Sequence, residues 1–136
     1  MNILDLFLIA DKEHIPVDFI RMGYAHSVSI QDKDRKCYIG LDLTTFEGSV
    51  DMKMNFAHEL GHCLKGGFYT KNDDAVQRKK AEAKADAWAF EHLLPKEKLI
   101  QRIREIDSSM PDIADHFGVS VDFLQAAIEH YARKEA

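Results

Sequence analysis

The sequence predicts a small α+β protein in which a short antiparallel sheet packs on two helices, followed by a helical C-terminal unit. Three observations lead to this prediction. Apolar residues alternate with other residues in two short runs between residues 28 and 43, which is typical of strands. Apolar residues recur at helical spacing before and after these runs. The motif His58-Glu59-x-x-His62 lies in one of the helical segments.

The composition is that of an ordinary globular protein, with 46 % hydrophobic and 30 % charged residues. A chain of 136 residues fits one domain, so we expect residues 1–136 to form a single domain in which residues 96–136 are a C-terminal helical subdomain. The net charge of −5 gives no electrostatic reason to expect nucleic acid or an anionic membrane as the partner. No segment approaches the ~20 apolar residues of a membrane span.

The cysteines and the N-terminus predict a cytoplasmic protein. Cys37 and Cys63 are too few for a disulfide framework, and we expect Cys63 to be a small buried thiol in a reducing compartment. The apolar residues 1–10 lack a basic leading region and contain Asp5, so we do not expect a signal peptide.

The first 43 residues predict helical segments and then a hairpin. Helical spacing of apolar residues predicts an amphipathic helix over residues 2–13, and residues 17–22 are expected to add a further turn or two. Residues 28–30 and 37–43 alternate around a polar turn, which predicts a β-hairpin. This hairpin can be an ordinary sheet that buries one face of the next helix. Its edge strand can also pair with an extended peptide, and the two interpretations are compatible.

The next helix, about 15 residues long, carries the histidine motif. Ser49 is predicted to cap its start and the glycine pair 66–67 to end it. Residues four apart lie on one face of a helix, so His58 and His62 can direct two imidazole nitrogens to one zinc ion, about 2.0–2.1 Å from each. Glu59 projects beside the ion, where a general base can take a proton from a bound water.

A second motif, Glu82-x-x-x-Asp86, follows on an alanine-rich helix predicted over residues 75–94. Glu82 can supply the third protein ligand, and Asp86 can accept the far ring N–H of a ligand histidine and so determine its tautomer. Two histidines, a glutamate and an open position are typical of catalytic rather than structural zinc, although Mn or Co can occupy the same ligands.

Tyr69 lies in a loop predicted over residues 68–74, between the two helices that carry these motifs. Its hydroxyl can donate a hydrogen bond to a developing oxyanion. The alternative is a tyrosine that packs after the end of a helix with its hydroxyl at the surface. The other five histidines have no ligand spacing to the motif and are expected at the surface or satisfied in the core.

Pro95 is predicted to start a helix over residues 96–106, and residues 111–131 have the order of a helix-turn-helix. This last segment contains four acidic residues and no Lys or Arg, so a DNA backbone would be repelled. We therefore predict a packing unit, or a docking surface for a protein partner.

These motifs together resemble the ImmA/IrrE-type metallopeptidases. The resemblance runs from the hairpin onward and rests on four stretches: Cys37 to Asp42, His58 to Cys63, Glu82 to Ala89 leading into Leu93-Leu94-Pro95, and Ile113 to Ser120.

The resemblance implies a zincin-like, gluzincin-like fold and a Zn²⁺-dependent endopeptidase. By position, His58, His62 and Glu82 are implied as zinc ligands, Glu59 as the catalytic base, and Asp86 as a residue behind the ligands where the family often has Asn. The implied partner is a protein substrate such as a DNA-binding repressor of a prophage, another mobile element or a stress response. Neither nucleic acid nor a membrane is expected as a direct partner.

Two other functions compete with this hypothesis. One is a non-catalytic regulatory module, stabilised by zinc, that docks to a repressor or to a toxin or antitoxin partner. Glu59 argues against it, because a purely structural site has no need of an acid beside the first histidine. The other is a DNA-binding regulator acting through residues 111–131, which the charge disfavours.

Overall fold

The computed structural model describes residues 1–66, 68–69, 72–105 and 108–135, and these contain six helices and a three-stranded sheet. The α+β class is therefore as predicted. In chain order the elements are α1 (Ile3–Lys12), β1 (Val17–Phe19), β2 (Ser27–Gln31), β3 (Cys37–Leu41), α2 (Ser49–Lys65), α3 (Ala75–Leu93), α4 (Lys96–Ile103), α5 (Met110–Phe117) and α6 (Val121–Glu135). No helix in the described ranges is long and apolar enough to cross a membrane.

The sheet has the strand order β1-β3-β2 and is mixed rather than antiparallel. β2 and β3 form the hairpin that the alternation predicts, with Ser29 opposite Ile39 in an antiparallel register. The polar turn between them is held by Asp32, whose carboxylate accepts hydrogen bonds from the backbone amides of Asp34 and Lys36. Since β3 is the central strand, β2 is an edge strand.

The prediction of helical turns over residues 17–22 is wrong, because residues 17–19 form the strand β1. This segment pairs in parallel with β3, with Val17 opposite Ile39. The amide of Ile20 donates to the carbonyl of Leu41, so β3 satisfies backbone groups that a helix would have paired internally. Long-range pairing overrides the weak local pattern in this short segment.

Asp42, at the end of β3, organises the chain that joins β1 to β2. Its carboxylate is buried and accepts hydrogen bonds from the hydroxyl and amide of Thr44 and from the amides of Met22 and Gly23. The Thr44 hydroxyl and these amides hold the pKa of Asp42 well below its usual range. The charged carboxylate therefore anchors the chain segment that leads into the edge strand.

The core lies between the sheet, α1, α2 and α3 and continues into the C-terminal helices. α1 begins with a capping box between Asn2 and Asp5, and the ring of Phe7 packs edge-on against Phe56 at a centroid distance of 4.8 Å. The largest apolar side chains with less than 2 % exposure are Phe56, Leu6, Ile39, Leu41, Leu60, Leu93, Leu94 and Leu124.

α2 begins one residue earlier than predicted. Gly48, not Ser49, is the N-cap, and its φ of +150° is a conformation that residues with a Cβ rarely adopt. The helix ends at Lys65 and is followed by Gly66, which adopts the left-handed conformation expected of a C-terminal glycine, while Gly67 lies outside the described residues.

α2 and α3 approach each other closely at Gly61. A Cβ at this position would lie 2.6 Å from the carbonyl oxygen of Ala85 and 2.8 Å from its Cα. Glycine on one helix and alanine on the other therefore let the two backbones meet. This contact brings the part of α3 that carries Glu82 beside the histidines of α2.

The C-terminal unit has the predicted helix-turn-helix order and packs on the helices before it. Gly118 ends α5 in the left-handed conformation, and the hydroxyl of Ser120 caps α6 by accepting from the amide of Phe123. The buried ammonium of Lys53 on α2 donates to the carbonyl of Phe117, and the hydroxyl of Tyr131 donates to the carbonyl of Leu94 at 2.7 Å. α4 ends at Ile103, and residue 106, where the sequence predicted its end, is outside the described ranges.

The two cysteines form a disulfide, so the prediction of a small buried thiol at Cys63 is wrong. Cys37 is the first residue of β3 and Cys63 lies near the end of α2, with their Cα atoms 5.6 Å apart. The pairing depends on the hairpin lying against α2, which cysteine spacing alone does not reveal. The cysteines therefore give no support to a reducing compartment.

We expect the double variant Cys37→Ala/Cys63→Ala to unfold more easily than the wild type. The disulfide closes a loop with a sequence separation of 26 residues. A loop of that length restricts the unfolded chain enough to contribute about 3 to 4 kcal/mol to the free energy of unfolding. Urea unfolding followed by circular dichroism measures the difference. Dithiothreitol should weaken the wild type similarly and leave the variant unchanged; equal stability of the two proteins without reductant would contradict the expectation.

Candidate metal centre

Side chains of α2 and α3 converge on one point beside the sheet edge. The Nε2 atoms of His58 and His62 lie 3.1 Å apart. The carboxylate of Glu82 spans them, with Oε2 2.7 Å from Nε2 of His58 and Oε1 3.2 Å from Nε2 of His62. His62 is buried, whereas His58 and Glu82 are partly open to solvent. Among the described residues, these three form a group that could hold a metal ion.

The donor set of this cluster fits a zinc ion. Two imidazole nitrogens and one carboxylate leave a fourth position open, as in catalytic zinc sites. Tetrahedral ligands with bond lengths of about 2.0–2.1 Å lie about 3.3 Å from one another, close to the separations in the cluster. The three side chains therefore need only small movements to share one ion.

Asp86 lies behind His58 on the side away from the cluster. Its Oδ1 is 2.8 Å from Nδ1 of His58, so the carboxylate accepts the ring N–H and leaves Nε2 directed at Glu82. Burial alone would lower the pKa of His58. The hydrogen bond and charge of Asp86, together with the charges of Glu59 and Glu82, outweigh burial and raise that pKa above its ordinary value.

Glu59 points toward the sheet rather than into the cluster. Its carboxylate is buried and receives two hydrogen bonds from the edge strand β2, one from the hydroxyl of Ser27 to Oε2 at 2.7 Å and one from that of Ser29 to Oε1 at 2.8 Å. Alternate residues of a strand share a face, so both hydroxyls reach the same carboxylate. The two serines thus determine the orientation of the acid beside the first histidine.

A cavity of about 310 Å³ opens over these groups. The cavity is lined by residues 27–29 of β2, by the motif residues His58, Glu59, His62 and Glu82, and by Phe68 and Tyr69. Tyr69 is 42 % exposed. A hydrogen bond to Glu82 and the charge of that carboxylate raise the pKa of the Tyr69 hydroxyl. Tyr69 is therefore a neutral hydrogen-bond donor that borders the cavity.

Sequence reasoning missed three residues that shape this site. Ser27 and Ser29 lie about 30 residues before Glu59 in the chain, and the predicted strand over residues 28–30 included Ser29 but not Ser27. Gly61 occupies a variable position of the histidine motif, and its signal was the facing alanine-rich helix. Each acts through a contact between elements that are separate in sequence.

His92, which the sequence did not predict as a metal ligand, packs against Trp88 and not against the cluster. The ring of His92 stacks on Trp88 at a centroid distance of 3.9 Å, and its Nδ1 lies 2.9 Å from the carbonyl oxygen of Trp88. This is a satisfied position at the end of α3. It agrees with the expectation of a packed histidine rather than a metal ligand.

The architecture is consistent with a zincin-like metallopeptidase domain, because a His-Glu-x-x-His helix and a carboxylate from a second helix converge under the edge of a small sheet. Comparison with protein families leads to the same class. The profile of the family Peptidase_M78, described as the IrrE N-terminal-like domain, matches residues 48–129, more than half of the chain. The chain therefore belongs to the ImmA/IrrE metallopeptidase family, as the motifs predicted. A search of curated proteins found no significant match.

We expect the purified protein to bind one divalent metal ion per chain, and His58→Ala and Glu82→Ala to abolish or strongly weaken this binding. Asp86→Ala should lower the affinity by about 10- to 100-fold, because the ligand histidine loses the partner that orients it. Asp86→Asn should lower it less, since an amide oxygen still accepts the ring N–H. Elemental analysis and competition with a chromogenic chelator measure these effects. Unchanged affinity in Asp86→Ala would contradict the orienting role.

Proposed function

We propose that the protein is a zinc-dependent endopeptidase. The observation that carries the proposal is the buried carboxylate of Glu59, which lies beside a His58, His62 and Glu82 cluster in a cavity open to solvent. A structural metal site is closed by its ligands and needs no further acid. Membership in the ImmA/IrrE metallopeptidase family supports the same activity.

In this proposal His58, His62 and Glu82 hold the zinc ion. The ion supplies Lewis acidity, which makes water more acidic and a peptide carbonyl more electrophilic. Glu82 comes from α3 while both histidines come from α2, so the packing of the two helices sets the relative positions of the ligands. Asp86 binds Nδ1 of His58, so that Nε2 is the ring nitrogen directed at the proposed zinc position.

Glu59 is proposed as the general base and acid. Its carboxylate takes a proton from the attacking water and gives a proton to the leaving nitrogen of the substrate. Ser27 and Ser29 are positioning residues, because their hydroxyls hold both carboxylate oxygens at the wall of the cavity. Tyr69 borders the same cavity as a neutral donor, and we propose that it donates to the carbonyl oxygen of the scissile bond as charge develops there.

The edge strand β2 is proposed to bind the substrate backbone. β2 lies at the edge of the sheet, and Ser27, Val28 and Ser29 line the cavity. An extended peptide that pairs with such an edge gains backbone hydrogen bonds, and here it would cross the cavity above Glu59. The hairpin would then serve both of the purposes that the sequence left open, since it also packs on α2.

The proposed substrate is a regulatory protein such as a DNA-binding repressor of a mobile element or a stress response, and the proposed setting is the cytoplasm. The substrate class follows from the resemblance to ImmA/IrrE-type peptidases, and the cytoplasm is the setting in which such a repressor acts. The net charge of −5 is favourable for this substrate class, because opposite net charge accelerates the encounter with a basic DNA-binding protein.

We expect Glu59→Gln to keep one zinc ion per chain while its rate of peptide cleavage falls by at least 10²-fold, because the amide cannot accept the proton of the water. Cleavage is measured on a proteome-derived peptide library, in which mass spectrometry identifies the new termini, so the natural substrate need not be identified first. The matched control is Glu97→Gln, which makes the same change at an exposed position of α4 and should cleave like the wild type.

Cleavage by Glu59→Gln at the wild-type rate would overturn the proposed mechanism. A wild type that holds zinc but cleaves neither the library nor intact DNA-binding proteins would instead favour the non-catalytic docking module.

The double variant Ser27→Ala/Ser29→Ala should cleave about tenfold more slowly or worse, because Glu59 loses two hydrogen bonds that hold its carboxylate. The loss should lie mainly in kcat, with metal content unchanged, since neither serine belongs to the ligand cluster. Threonine at both positions keeps the hydroxyls and should restore much of the rate. Ser49→Ala, at the exposed start of α2, is the matched control. A normal kcat in the double alanine variant would show that Glu59 does not depend on the serines.

A further inference from the structure

A second groove opens on the far side of His58 from the cavity over the cluster. It lies between α2, α3 and the start of α6 and has a volume of about 490 Å³. Its surface is largely apolar and is formed by Met54 of α2, Ala89 and Phe90 of α3, and Phe123 and Ala126 of α6. This groove is the place where the C-terminal unit and the metal-binding helices form a common surface.

His58 borders both the groove and the cavity over the cluster. Its Nε2 faces Glu82, whereas its Nδ1 faces Asp86, which also lines the groove. One imidazole therefore separates the proposed cleavage site from the apolar surface. Because His58 lines both, the groove adjoins the cavity over the cluster, and an extended peptide bound there would advance about 3.3 Å for each residue.

The chemistry of the groove favours a large apolar side chain. The rings of Phe90 and Phe123 meet at an angle of 62° with centroids 5.1 Å apart, and they offer aromatic surface to a third ring or a branched aliphatic side chain. The carboxylates of Asp86 and Asp122 lie at the same groove, and Asp122 is exposed. An acidic side chain placed there would be repelled by both.

We propose that this groove is the side-chain specificity pocket of the peptidase and that it accepts one large apolar residue of an extended peptide next to the scissile bond while rejecting acidic residues. The inference rests on the proposed function. It gives α6 a role as a wall of the substrate site, so that the helix-turn-helix unit serves recognition of a peptide rather than of DNA.

Zinc-binding peptide hydroxamates test the proposal by binding rather than by turnover. Three otherwise identical compounds carry the side chain of Phe, Ala or Asp, and calorimetry measures their dissociation constants with the zinc-loaded protein. We expect the Phe compound to bind at least tenfold more tightly than the Ala compound, and the Asp compound to bind more weakly than either.

Ala126→Phe fills the groove and should bring the Phe and Ala compounds to within about twofold of each other, with little effect on the affinity for the Ala compound. The matched control is Ala132→Phe, the same change at an exposed position of the same helix, which should keep the wild-type preference. Ala126→Leu tests the same point with a smaller side chain if circular dichroism shows that Ala126→Phe is not folded.

Equal binding of the Phe and Ala compounds by the wild type, or a preference unchanged in a folded groove-filling variant, would overturn the specificity pocket while the metal centre stands. Failure of all three compounds to bind the zinc-loaded protein would overturn the proposed peptidase site itself and the pocket with it.

Discussion

The close contact between α2 and α3 at Gly61 is the constraint on which the site depends. Glu82 reaches His58 and His62 only because a residue without a Cβ faces the backbone of Ala85. A larger side chain at residue 61 would push the helices apart, and the three donor atoms would no longer lie within reach of one ion. Ala81, Ala85 and Ala89 are the buried alanines of α3, and Ala85 is the one that faces Gly61. The packing of two helices is thus what turns a local histidine pair into a possible three-ligand centre.

The edge strand β2 supplies the hydrogen bonds that orient Glu59. Both oxygens of Glu59 are held by serine hydroxyls of β2, so the orientation of the acid depends on the register between β2 and β3 and on the packing of the hairpin against α2. A shift of one residue in that register would turn both serines to the opposite face of the sheet. The Cys37–Cys63 disulfide ties the same hairpin to the end of α2 and so restrains its position. One hairpin, β2–β3, therefore orients Glu59, carries Cys37 of the disulfide and provides the edge strand proposed to bind the peptide.

The sequence predicted those features that depend on local spacing. The separation of four between His58 and His62, and again between Glu82 and Asp86, places each pair on one helix face whatever the rest of the fold does. The features that it missed depend on contacts between distant elements. Three residues of β1 have too little pattern to oppose a helical reading, and the strand exists because β3 offers a parallel partner. The serine contacts and the disulfide likewise require the hairpin to lie on α2, a placement that periodicity does not encode.

The C-terminal unit shows why a helix-turn-helix order does not by itself indicate DNA binding. The second helix of such a unit reads DNA only if it is presented to a major groove with basic residues around it. Here Leu124 and Ala127 of α6 are buried, and the hydroxyl of Tyr131 is bonded to the end of α3, so one face of the helix belongs to the core. Asp122 adds negative charge at its first turn, where a phosphate would otherwise be attracted by the helix dipole. Asp122, Phe123 and Ala126 at the start of α6 border the apolar groove beside His58, which we propose to accept a side chain of a peptide.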